Sequence, residues 1–146
     1  MNATNKYLMI IDDDADDRAL FIEAVREIDS SIICLSADNG QKALELLHDT
    51  NSPLPDYIIL DLRMPRYSGK RCLFEIKKNA RLKHIPVIIY TTSKNVEESN
   101  ELFRMGAVHF MTKPRNAEEI YYLASFILGE QWISSKHIGQ PEDENG

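Results

Sequence analysis

The sequence lacks the features that define several large classes of protein. It contains only 2 cysteines in 146 residues, and Cys34 and Cys72 show no CxxC or zinc-ligand spacing, which argues against a disulfide scaffold or a cysteine-rich metal site. No apolar run approaches the roughly 18 residues that a membrane-spanning helix needs, and no apolar signal core follows the first residues. These absences predict a protein of a reducing, cytoplasmic compartment that does not cross a membrane.

An excess of positive charge is also absent. The chain has 17 lysine and arginine residues against 23 aspartate and glutamate residues, which gives a net charge of −6. Because contact with a phosphate backbone requires a basic face, direct DNA binding is not expected. The glycine-rich nucleotide-binding motifs GxGxxG and GxxxxGK(S/T) are missing as well, so the sequence offers no nucleotide site of those kinds.

The composition that is present, 43% hydrophobic and 27% charged residues, is typical of one globular domain. We predict that the domain covers residues 6–130 and that residues 131–146 form a flexible, polar extension. This length leaves no room for a separate output domain, so a protein that acts through contacts with other proteins is expected.

Short apolar runs alternate with amphipathic stretches five times along the chain. The predicted strands cover residues 7–11, 31–35, 57–60, 87–90 and 108–111. Apolar residues at helical spacing follow each run, and the last such stripe contains Ile120, Leu123, Ala124 and Ile127. Strands that are apolar on both faces are typical of a buried parallel sheet. The sequence therefore predicts an α/β fold, a doubly wound five-stranded parallel sheet of (βα)5 type.

Polar side chains that could bind ligands or react follow four of these strands. Asp12 and Asp13 come after the first strand, Asp61 after the third, Thr91 after the fourth and Lys113 after the fifth. Ligands bind beyond the carboxyl ends of parallel strands, so we expect these groups to lie together. Crowded carboxylates repel each other, and Mg²⁺ relieves that repulsion because it prefers oxygen ligands. A site for Mg²⁺, with Mn²⁺ as a substitute, and for a phosphoryl group is predicted there.

Simpler interpretations exist for several of these residues. Residues 12–17 contain five acids in six positions, and acids in the first turn of a helix are favoured by its dipole or as a cap. We prefer that interpretation for Asp14, Asp16 and Asp17. A further basic run is interpreted as a solvated helix end and loop in preference to a patch for a partner; it consists of Lys77, Lys78, Arg81, Lys83 and His84.

Four segments in register resemble the receiver domain of bacterial two-component response regulators, the CheY-like family. They are residues 10–14, 59–65, 86–92 and 106–114, and the resemblance extends over about residues 6–129. It implies a flavodoxin-like sheet with strand order 2-1-3-4-5. It also implies phosphorylation by a sensor histidine kinase or a histidine phosphotransfer protein, in a Mg²⁺-dependent reaction.

The resemblance assigns a role to each matching position. It implies that Asp61 is phosphorylated, that Asp13 and Asp12 bind Mg²⁺ together with Asp61 and the backbone carbonyl of Arg63, that Lys113 contacts the phosphoryl group, and that Thr91 and Phe110 form the switch. It further implies a cis peptide at Lys113–Pro114, an isomer that is accessible only before proline.

Output is expected at the surface of the fourth helix, fifth strand and fifth helix. On the fifth helix Tyr122 and Phe126 fall near the face opposite the apolar stripe, and an exposed aromatic pair is typical of a docking surface for a partner or a second copy. The other interpretation is that the segment around Trp132 covers them.

Three other functions compete with a phosphorylated switch. The chain could serve as a phosphorelay intermediate, or as a receiver-like binding module that is never phosphorylated. A haloacid-dehalogenase-type phosphatase also forms an aspartyl phosphate, but it would need an aspartate where Arg63 stands.

Overall fold

The computed structural model describes residues 6–129, which form five strands alternating with five helices. The strands are β1 (Tyr7–Ile11), β2 (Ile33–Ala37), β3 (Tyr57–Leu60), β4 (Val87–Thr91) and β5 (His109–Thr112). The helices are α1 (Ala15–Ile28), α2 (Gly40–His48), α3 (Gly69–Lys78), α4 (Val96–Arg104) and α5 (Ala117–Gly129). Within the described residues, no helix has both the length and the apolar character needed to span a membrane.

The strands form one parallel sheet in the order β2-β1-β3-β4-β5, which confirms the predicted topology. Alternate residues of each strand enter two separate cores. Met9 and Ile58 belong to the core on one face, with α2, α3 and Leu102 of α4. Leu8, Ile10 and Ile59 belong to the core on the other face, with α1 and α5. Burial on both faces explains why these strands are continuously apolar.

The predicted second strand was displaced by two residues. Ser31 donates from its backbone N–H and its hydroxyl to the carboxylate of Asp29, at 3.0 and 2.6 Å. This local turn removes Ser31 from the ladder, and Ile33 is the first residue of the strand, paired with Tyr7. The fifth strand is displaced by one residue, to His109–Thr112.

A polar side chain caps the start of each helix, and each cap accepts a hydrogen bond from the backbone N–H three residues on. They are Asp14 for α1, Asn39 for α2, Ser68 for α3 and Asn95 for α4. Asn116 makes the same contact at the start of α5, with the N–H of Glu119 at 2.9 Å. These caps fix the loops that connect the strand ends to the helices. The interpretation of Asp14 as a cap is confirmed.

The predicted cis peptide at Lys113–Pro114 was wrong. No peptide bond in residues 6–129 is cis. The trans isomer of a bond before proline is lower in free energy by about 0.5–1 kcal/mol, and it is the isomer found here.

The basic run at the end of α3 is not solvated throughout, and that interpretation was wrong for Lys77, which is partly buried, whereas Arg81 is exposed. The Lys77 ammonium donates to the backbone carbonyls of Lys83 and Ile85, at 3.0 and 2.8 Å. Arg81 Nη1 donates to the carbonyl of Leu47 at 2.6 Å. Both side chains satisfy loop or helix-end carbonyls, a use that their charge alone does not reveal.

Candidate functional site

Three carboxylates meet where β1 and β3 end. Asp12, Asp13 and Asp61 each present an oxygen within 4.8 Å of the oxygens of the other two. The Asp61 N–H donates to the carbonyl of Ile11 at 2.9 Å, which continues the sheet by one residue and holds Asp61 beside the first strand. Asp12 and Asp61 are 1% and 4% exposed, whereas Asp13 faces solvent. The predicted convergence of the acids is observed.

Lys113 supplies a positive charge within this group. Its ammonium lies 2.6 Å from Asp12 Oδ2, 2.8 Å from Asp17 Oδ2 and 3.6 Å from Asp61 Oδ2. The Lys113 N–H donates to the carbonyl of Thr91 at 2.7 Å, and this bond anchors the residue beside the end of β4. Lys113 therefore joins the carboxylates as expected, with Asp12 and Asp17 nearer than Asp61.

Burial and charge act in opposite directions on these groups. Burial raises the pKa of Asp12 to about 6, against the lowering effect of Lys113 and of the Asp14 N–H. Burial lowers the pKa of Lys113, but the contacts with Asp12, Asp17 and Asp61 outweigh it and raise the pKa overall. One ammonium thus faces at least three carboxylates, and the excess of negative charge suits a hard divalent cation.

Thr91, at the end of β4, and Arg63, on the loop after β3, border the acids. Thr91 is the last residue of β4 and is fully buried, and its hydroxyl oxygen is 3.5 Å from the N–H of Ser93. The Arg63 N–H points toward Asp61 Oδ1 at 3.4 Å, while its guanidinium pairs with Glu98 at 3.1 Å. The arginine side chain therefore contacts α4 through Glu98.

The predicted aromatic residues occupy a different part of the molecule. Phe110 is half-buried on β5 and packs against the core on the α3 face. Tyr122 and Phe126 on α5 are 62% and 44% exposed, and the Phe126 ring lies 5.5 Å from the ring of His109. Trp132, the residue expected to cover them in the other interpretation, lies outside the described residues.

Sequence reasoning missed Asp17 and Arg18. Asp17 was interpreted only as a helix-turn acid, yet it accepts a hydrogen bond from the Lys113 ammonium at 2.8 Å. Arg18 Nη1 donates to the carbonyl of Asp12 at 2.6 Å. Asp16, the neighbouring acid, is exposed. Nothing in the local pattern separates Asp17 from Asp16, because the rotation of α1 against the sheet decides which one faces Lys113.

Comparison with known proteins defines the class. The family model described as "Response regulator receiver domain" matches residues 8–124. The chain therefore belongs to this family of two-component signalling domains.

Individual relatives are similar along most of their length. Response regulator Rcp1 of Synechocystis sp. is 32% identical over 128 residues, which cover 84% of this chain and 86% of that protein. Two-component response regulator ORR5 of Oryza sativa subsp. japonica is 32% identical over 122 residues, covering 84% of this chain and 88% of that protein.

Solved structures give the same result. The Mn²⁺-bound form of response regulator Rcp1 superposes with a TM-score of 0.79 at 29% identity, covering 88% of this chain and 98% of that one. The phosphorylated cyanobacterial phytochrome response regulator RcpA also has a TM-score of 0.79, at 26% identity, covering 85% of this chain and 91% of that one.

Proposed function

We propose that Asp61 accepts a phosphoryl group from a phosphohistidine of a sensor histidine kinase or a histidine phosphotransfer protein. The observation that carries the proposal is the convergence of Asp12, Asp13 and Asp61 within 4.8 Å, with the Lys113 ammonium beside them. This is a phosphoryl-accepting carboxylate surrounded by the groups that such a transfer requires.

The donor set fits a Mg²⁺ ion. Asp12, Asp13, Asp61 and the backbone carbonyl of Arg63 would supply oxygen ligands, and a relative was solved with Mn²⁺ bound. When bound, the ion would neutralise charge that develops on the phosphoryl oxygens.

The chain's own residues perform the transfer. A carboxylate oxygen of Asp61 forms the bond to phosphorus while the N–P bond of the phosphohistidine breaks and the imidazole leaves. The burial of Asp61 and its backbone bond to Ile11 fix the carboxylate in place. Lys113 binds a phosphoryl oxygen through its ammonium, and the Thr91 hydroxyl donates to another.

Phosphorylation adds about −1.5 to −2 charges to the site and shifts the population between two conformations. We infer that Thr91 moves toward the phosphoryl group and that Phe110 rotates into the space left behind. The surface of α4, β5 and α5 then changes, and it docks a protein partner or a second copy of the chain. The exposed aromatic residues Phe103, Tyr122 and Phe126 on this surface support the proposal.

Two other functions remain alternatives within the same site. A phosphorelay intermediate would use the same acceptor and pass the group on, whereas an unphosphorylated binding module would not need the acids and Lys113 together. Their proximity favours a phosphorylated protein. We also propose a cytoplasmic location without direct DNA binding, supported by the free thiols of Cys34 and Cys72 and by the net charge of −6.

The test is incubation with acetyl phosphate and Mg²⁺, followed by intact-mass measurement. We expect the mass of the wild type to rise by one phosphoryl group, and Asp61→Asn or removal of Mg²⁺ with a chelator to abolish the change. Asp16→Asn is the matched control, because it removes an exposed carboxylate of the same loop–helix region and should still be phosphorylated.

Each part of the proposal can fail separately. Phosphorylation of Asp61→Asn would show that another residue is the acceptor, and a wild type that gains no mass would favour the binding module. In the phosphorylated sample, amide hydrogen exchange should change in α4, β5 and α5 more than in α2. Unchanged exchange in those three elements would contradict the proposed output surface.

A further inference from the structure

The Lys113 ammonium has more carboxylate partners than the proposed transfer requires. Asp12 and Asp61 both follow strand ends, but Asp17 belongs to the first turn of α1. Its carboxylate accepts a hydrogen bond from Lys113 at 2.8 Å, whereas the ammonium lies 3.6 Å from Asp61 Oδ2. The contact joins residues that are 96 positions apart in sequence, so it depends on the packing of the whole fold.

Asp17 is held in this place by its own turn. Its backbone N–H donates to the capping carboxylate of Asp14 at 3.0 Å. The next residue, Arg18, donates to the carbonyl of Asp12 at 2.6 Å. The first turn of α1 is therefore tied to the loop that carries Asp12 and Asp13, and the Asp17 carboxylate faces the site from a fixed position.

The same ammonium must also bind the phosphoryl group in the proposed reaction. Lys113 has three N–H donors, and its side chain is 9% exposed, so its freedom to move is small. Turning the ammonium toward a group on Asp61 would lengthen its 2.8 Å contact with Asp17. A ligand shifts an equilibrium only through its differential interaction with the two states, so a contact that is stronger without the phosphoryl group would favour the unphosphorylated state.

We propose that Asp17 is a positioning residue that competes with the phosphoryl group for Lys113 and thereby lowers the stability of the phosphorylated state. The inference deepens the proposed function and rests on it. Asp17 does not contact the reacting atoms; it acts through Lys113. Removing its carboxylate is expected to release Lys113 toward Asp61.

The experiment measures the affinity for beryllium trifluoride, a phosphoryl mimic, in the presence of Mg²⁺. We expect Asp17→Asn to bind the mimic about three- to fivefold more tightly than the wild type, the upper part of the range that corresponds to loss of one partly exposed ion pair. Asp16→Asn changes the net charge by the same amount one residue earlier, at an exposed position, and should remain within about twofold of the wild type. Asp17→Glu keeps the carboxylate and should restore most of the wild-type affinity.

A double-mutant cycle separates competition for Lys113 from a general structural effect. In the Lys113→Met background, Asp17→Asn should no longer change the affinity for the mimic, because there is no ammonium to release. An equal gain with and without Lys113, or an equal gain in Asp16→Asn, would overturn the inference. If the wild type neither binds the mimic nor becomes phosphorylated, the proposed function itself fails, which is a different result.

Discussion

Two lysines of this protein, Lys77 and Lys113, are partly buried, and their pKa values move in opposite directions. Burial lowers the pKa of Lys77 to about 8. Burial also lowers the pKa of Lys113, but carboxylate contacts more than reverse the effect and raise it. Burial lowers the pKa of both amines, so their hydrogen-bond and charge partners decide the direction of the overall pKa shift.

The partners differ because of where each lysine lies. Lys113 stands at the edge where the strands end, and three carboxylates lie within 3.6 Å of its ammonium. Lys77 stands at the end of α3, where its amine meets the carbonyls of Lys83 and Ile85. Carbonyls accept hydrogen bonds but carry no full charge, so they compensate less for the loss of water. The edge of the sheet at Lys113 is suited to binding a phosphoryl group, whereas the contacts of Lys77 close the loop after α3.

The largest expected effect on stability comes from removing the ammonium of Lys113. Lys113→Met leaves buried Asp12 and Asp61 without their ammonium, and we expect a loss of about 3 kcal/mol in the free energy of unfolding at neutral pH without Mg²⁺. Urea denaturation measures it. If the carboxylates bind Mg²⁺, the ion should recover more stability in this variant than in the wild type, because it replaces the missing positive charge.

Lys94→Met is the control for that experiment, since Lys94 is an exposed lysine of the loop after β4. It should change the free energy of unfolding by less than about 0.5 kcal/mol. A Lys113→Met variant as stable as Lys94→Met would contradict the prediction, because it would show that Lys113 contributes no more to stability than an exposed lysine.

A smaller effect is expected from the glycine that contacts the second lysine. Gly106 has a φ of 112°, and a Cβ added there would lie 3.1 Å from Cγ and Cδ of Lys77. Gly106→Ala should therefore cost about 2 kcal/mol, chiefly from backbone strain. A Cβ at Gly129 meets nothing within 4 Å, so Gly129→Ala provides a control with little cost. If Lys77→Ala in the same chain restores full stability to Gly106→Ala, steric contact and not backbone strain is the cause.

A dependence on pH should also differ in sign between the two lysines. The folded state releases the Lys77 proton near pH 8, whereas an unfolded chain retains it to 10.5. Between these values the unfolded state binds more protons, so the free energy of unfolding rises with pH. We therefore expect the free energy of unfolding of the wild type, relative to that of Lys77→Met, to increase from pH 8 toward pH 10. Denaturation curves of both proteins, recorded in parallel at each pH, measure this difference.

For Lys113 the sign is reversed. Its raised pKa means that its contribution is fully present below 10.5 and is lost as pH rises further. If the free energies of unfolding of the wild type and of Lys77→Met change in parallel between pH 8 and pH 10, the amine of Lys77 is not desolvated. The predicted difference in pH dependence between Lys77 and Lys113 would then be contradicted.

Local pattern predicted the fold well where apolar runs are long and uninterrupted. The predicted β1 and β3 agree with the structure at both ends, because Tyr7–Ile11 and Tyr57–Leu60 are apolar throughout. The prediction was less accurate for β2, where Ser31 forms a turn with Asp29 and only pairing with Tyr7 defines the start of the strand.

The sequence alone determined that Asp12, Asp61, Thr91 and Lys113 share one edge. Each directly follows or ends a strand, and parallel strands bring their carboxyl ends together whatever the details of packing. Tertiary structure alone decided that Asp17 and not Asp16 meets Lys113, and that Lys77 turns inward. Those outcomes depend on the rotation of α1 and α3 against the sheet, which contacts between distant residues set and no short segment encodes.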